Sequence, residues 1–203
     1  MRLALLALVV DLTALTASAA LAAPAAERLV VKPYPGKWKR ITDQTDGASW
    51  FHEQIPADQD VNSFTDILSD QAFAKLAGYD PSKFLTGLFQ RINGGCTGLV
   101  VNGPAAAVEG GVTVVYGQAY CGQQTGQSFG VHMFYKLIAG RDALYVIDRE
   151  FHVPPSANGG QLSFPKDQAA AAMALLKNEA AANKYLTDDV YLCGGASTDP
   201  RCR

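Results

Sequence analysis

Residues 127–153 read QSFGVHMFYKLIAGRDALYVIDREFHV, and the two runs inside this stretch, 127–138 and 143–153, decide the fold. In the first run Phe129, Val131, Met133, Tyr135 and Leu137 alternate with Ser128, Gly130, His132, Phe134 and Lys136. In the second, Tyr145, Ile147, Arg149, Phe151 and Val153 alternate with Leu144, Val146, Asp148, Glu150 and His152. Successive side chains of a strand point to opposite faces, so a period of two marks extended chain. The odd-numbered set reads as the core face of both strands, with Arg149 its one exception. A three-residue loop, Gly140-Arg141-Asp142, makes the pair a hairpin and predicts that His132 lies opposite Glu150 and diagonal to His152.

Outward from this hairpin the pattern stays mixed. Toward the N-terminus, 96–102 and 111–120 are further strand-like runs. Asp80-Pro81 opens a helix with an N-cap and a first-turn proline; Phe84, Leu85, Leu88 and Phe89 form its apolar stripe, and Gly94 ends it. Residues 37–45 and 48–55 form a hairpin about Asp46-Gly47. Asp60 or Asn62 is expected to cap a helix running to about Ala77, on the spacing of Phe64, Ile67, Leu68, Phe73 and Leu76. Pro33 and Pro35 keep the segment before the first hairpin extended. Toward the C-terminus, an alanine-rich helix spans Phe164 to about Tyr185. Adjacent short strands and grouped helices predict an α+β fold: an antiparallel sheet of an N-terminal hairpin and a four-strand meander, covered on one face by helices.

The N-terminus gives the chain an address. Arg2 precedes an apolar run from Leu3 to Val10, and Ala20-Leu21-Ala22 supplies the small-x-small pattern of a signal-peptidase site. Residues 1–22 read as a signal peptide and 23–203 as one domain, periplasmic or secreted, with no stable membrane span after cleavage. The four cysteines, Cys96, Cys121, Cys193 and Cys202, then meet an oxidising compartment. Of the three pairings open to them, Cys96 with Cys121 and Cys193 with Cys202 is preferred, because the second closes a C-terminal loop rich in turn formers. No Cys-x-x-Cys pair exists for zinc. A net charge of -2 offers no basic field to nucleic acid or anionic lipid.

The chemistry-bearing residues are few. His132, Glu150 and His152 on one face could hold a divalent metal or move protons, and they equally fit a solvated outer face of an antiparallel sheet. Gly126-Gln127-Ser128-Phe129-Gly130 matches G-x-S-x-G, but a nucleophile elbow needs a helix directly after it and a strand follows here. Residues 58–62 begin like a calcium loop, yet Ser63 and Ser69 stand where the turn glycine and bidentate glutamate belong. Phe134, with Leu144 and Val146 nearby, is either a docking strip or the seat of the C-terminal helix; the helix is preferred. No cofactor motif is present. Because no catalytic motif keeps its required structural context, the reading is a non-enzymatic binding or envelope-accessory protein with an unknown protein or envelope partner. The alternative is a small hydrolase or metal-dependent enzyme using His132, Glu150 and His152, with Ser128.

Asn62-Ser63-Phe64-Thr65-Asp66-Ile67-Leu68, continuing to Gln71 and Phe73, resembles the N-W-T-E-M…Q-x-F segment of small exported proteobacterial proteins of unknown function, with Phe64 for Trp and Asp66 for Glu. Gly140-Arg141-Asp142-Ala143-Leu144-Tyr145 resembles their later G-x-D-x-L-Y hairpin. The order of elements is similar to the PsbP/Mog1-like α+β fold. The resemblance implies no activity and carries over no functional residue.

Overall fold

The computed structural model describes residues 25–156 and 169–203. Residues 1–22, expected as a signal peptide, and the expected start of the alanine-rich helix at Phe164 lie outside the described residues. The rest is an α+β fold dominated by antiparallel sheet. In chain order come β1 (Arg28–Val31), β2 (Trp38–Asp46), β3 (Ser49–Pro56), β4 (Asp66–Phe73), α1 (Pro81–Asn93), β5 (Cys96–Glu109), β6 (Val112–Gln124), β7 (Gly130–Ala139), β8 (Leu144–Val153), α2 (Ala169–Asp188) and β9 (Val190–Cys193). Seven strands form one sheet in the order β2-β3-β4-β8-β7-β6-β5, and β1 pairs with β9 in a separate ribbon.

Local chemistry explains several of these elements. Asp80 caps α1 by accepting from the Ser82 and Lys83 amides at 2.8 and 3.3 Å, with Pro81 in the first turn. Gly110 and Gly111 both have positive φ, as the two-residue turn joining β5 to β6 requires. The disulfides are Cys96–Cys121 and Cys193–Cys202, leaving no free cysteine.

Residues 66–73 are strand β4, not the expected helix, and β4 lies between β3 and β8. Ile67 and Leu68 are both buried because neighbouring residues of a central strand face opposite covered sides. The apparent helical spacing of Phe64, Ile67, Leu68 and Phe73 is a by-product of this two-sided burial. Asp60 accepts from the Asn62 amide at 2.9 Å in a local turn, and Ser69 is buried in β4, so the calcium-loop pattern is not formed.

Helices cover both faces of the sheet, not one. Leu85 and Phe89 of α1 pack on Val115, Ala119, Val131, Met133, Tyr135 and Leu137. Ala182, Tyr185 and Leu186 of α2, with Val190 and Leu192 of β9, pack on Val114, Phe134, Ile138, Tyr145, Ile147 and Phe151. Phe134 is therefore the seat of α2, only 2% exposed.

The hairpin register differs from the expected one by a single residue. Ala139 pairs with Leu144, leaving a four-residue connection, and His132 pairs with Phe151 while Glu150 pairs with Met133. With both faces buried, the apolar pattern does not choose between the two registers. A distant residue fixes the turn: the Glu27 carboxylate accepts from the Arg141 and Asp142 amides at 2.8 and 2.9 Å.

Candidate functional site

The sheet register sends the sequence candidates to different places. His132 faces α2, where its Nδ1 lies 2.6 Å from Glu179 Oε1 and its ring packs against Tyr120 and Phe134. Glu150 and His152 face the α1 side. The expected His132, Glu150 and His152 cluster is thus not formed: the one-residue shift places His132 on the opposite surface of the sheet.

Glu150, His152 and Ser128 do meet, in a cleft open to solvent with a volume of about 760 Å³. One wall is the β3–β4 connection, with Asn62, Ser63, Phe64 and Thr65; another is the β6–β7 turn, with Gln124, Gln127, Ser128 and Phe129. The end of β8 forms the floor. His152 is held flat against Phe129, ring centroids 3.9 Å apart, with Phe64 at 4.9 Å. Its Nε2 is 3.7 Å from Glu150 Oε1. Apolar stacking fixes the imidazole, while amides and hydroxyls supply the rest of the wall.

A smaller cavity of about 260 Å³ adjoins the cleft, and Gln124 and Glu150 line both. Its floor is Val131, Met133, Tyr135 and the Cys96–Cys121 pair, and Arg91 and Ile92 from the end of α1 line it too. Glu150 sits between apolar cross-strand neighbours, Met133 on β7 and Ile67 on β4.

Beside Glu150, on the same face of the sheet, runs a row of polar side chains in register across five strands: Thr42, Glu53, Ser69, Asp148 and Tyr135. Burial, then the charge of Glu150, pushes the Asp148 carboxyl up to about 8, with Glu53 and Asp70 adding to the effect and a Ser69 hydrogen bond opposing it. Burial is also the main cause that raises the Tyr135 hydroxyl.

Ser128 and His152 line the same cleft without a hydrogen bond between them among the described residues. Ser128 lies in a turn followed by β7, not by a helix. Among the described residues no group of three or more His, Cys, Asp or Glu is placed to hold a metal ion. No described helix is long and apolar enough to cross a membrane.

Arg149, the exception in the apolar alternation, is 1% exposed. Its Nη2 donates to both Asp66 oxygens at 2.6 and 2.7 Å, and the guanidinium lies 3.9 Å from the Tyr34 ring centroid and 4.9 Å from that of Trp38. The broken alternation was its only trace in the sequence; Asp148 left none.

The sequence matches no protein-family model and no curated protein. A solved structure with some likeness is that of LpqN, described as involved in cell envelope biogenesis of Mycobacterium tuberculosis. It is 15% identical, the match covers 86% of this chain and 87% of that one, and the TM-score is 0.42.

Proposed function

We propose that this chain is an exported, non-enzymatic binding protein of the bacterial envelope, periplasmic or secreted, whose ligand occupies the cleft beside Glu150 and His152. The observation that carries the reading is the make-up of that cleft: amides and hydroxyls from two loops, backed by a stacked aromatic pair and one carboxylate. Concave sites with a few convergent polar groups on an apolar base are where small ligands bind. Export is supported by the apolar N-terminal run and by the pairing of all four cysteines. Kinship with the small exported proteobacterial proteins rests on residues 62–73 and 140–145.

Amide-resolved NMR titration of the mature protein tests the binding reading, with neutral tripeptides and methyl glycosides as probes. Shifts confined to residues 62–65 and 124–129 are expected with at least one probe; their absence with every probe overturns it. A hydrolase is the second reading, because Ser128, Glu150 and His152 line one cleft. Covalent labelling of Ser128 by a fluorophosphonate, lost in Ser128→Ala, would establish that reading instead.

A further inference from the structure

The two cavities that meet at Glu150 are lined by different side chains. The larger offers amides and hydroxyls beside the Phe64 and Phe129 rings; the smaller sets Ile92, Val131, Met133 and the Cys96–Cys121 disulfide beside the polar groups of Arg91, Gln124 and Glu150. Glu150 has apolar partners on both neighbouring strands and lies 3.7 Å from the His152 imidazole, with no Lys or Arg paired to it among the described residues. A part-buried carboxylate in such a setting gains most from a cationic donor supplied by a ligand.

We propose that the smaller cavity is the subsite for the N-terminal residue of a short peptide. The free α-ammonium group pairs with Glu150 where the cavities join. The first side chain, an apolar one, lies on Val131, Met133 and the Cys96–Cys121 disulfide. The remaining peptide groups run into the larger cleft, where Gln124 and Gln127 present amides to its backbone. The volume of about 260 Å³ suits one side chain and not a longer segment. Arg91 on the lining disfavours a basic first residue by like-charge repulsion. This inference rests on the binding reading above and names its ligand.

Calorimetric titration with Leu-Gly-Gly, N-acetyl-Leu-Gly-Gly and Gly-Gly-Gly tests it. Leu-Gly-Gly is expected to bind, with acetylation, loss of the leucine side chain and the Glu150→Gln variant each weakening it about 10- to 100-fold. Gly95 lines the cavity and a Cβ there would meet only the Ile92 carbonyl, at 3.8 Å, so Gly95→Phe adds a ring to the cavity's rim without a backbone clash. That variant should lose the preference for leucine and retain its melting temperature. Equal binding of the acetylated peptide, or an unaltered leucine preference in Gly95→Phe, overturns the subsite. Peptides that fail while a methyl glycoside shifts the cleft amides overturn this inference and leave the binding reading intact. Failure of every probe removes both.

Discussion

His132 Nδ1 lies 2.6 Å from Glu179 Oε1, tying the start of β7 to α2 beside the apolar contacts of Ala182, Tyr185 and Leu186. Both side chains are largely buried, so removing either strands a polar partner away from water. His132→Ala and Glu179→Ala should each lower stability by about 1–3 kcal/mol in urea unfolding. Neither should change binding in the cleft, because the pair lies on the opposite face. His152→Ala should do the reverse, loosening Phe129 and weakening the ligand with a smaller loss of stability.

Asp148 carries a pH dependence of definite sign. Its ordinary value of 3.8 rises to about 8 in the fold, so between those values the native state holds a proton that the unfolded chain has released. The stabilisation is full below about pH 4, declines as pH rises and is gone above about pH 8. Asp148→Asn keeps the shape and removes the ionisation. It should gain about 1–3 kcal/mol at pH 8 and flatten the stability profile between pH 5 and 8. Chemical denaturation across that range checks the prediction; a profile unchanged by the substitution contradicts it.

Gly117 lies directly under Leu85 and Phe89 of α1. A Cβ there would lie 2.5 Å from Leu85 Cδ2 and 3.0 Å from Phe89 Cζ. Leu85 has no exposed surface into which to move. Gly117→Val should therefore lift α1 and cost about 1–3 kcal/mol. Thermal melting gives the size, and a smaller cost of Gly117→Val in a Leu85→Ala background would show that the clash is the cause.

The Cys193–Cys202 disulfide holds the tail where Arg201 caps α2: its Nη1 donates to the Thr187 and Asp188 carbonyls at 3.1 and 2.8 Å. Replacing both cysteines by serine should cost about 2–3 kcal/mol for a loop of this length. Hydrogen exchange should quicken in the last turn of α2 and in β9 before it changes in β7 and β8. Uniform quickening would mean that the tail caps nothing.

How far the chain was legible depended on how local each decision was. The α1 boundaries follow from Asp80, Pro81 and Gly94, which act within one turn of themselves. The Asp46-Gly47 hairpin is equally local. Strand β4 was misread because its burial comes from β3, β8 and both covered faces, and alternation disappears when both sides are apolar. The β7–β8 register was missed because Glu27, far away in sequence, holds the amides of the turn.

By itself the sequence determined the α+β class, the export signal as an expectation, the helix caps and the alternating strands of the β7–β8 hairpin. These depend on residue type and short-range geometry alone. Only the tertiary structure decided which histidine meets Glu150. The side-chain period of a strand is two, so one residue of register, set by a contact from β1's approach segment, separates His132 from the cleft and leaves His152 in it.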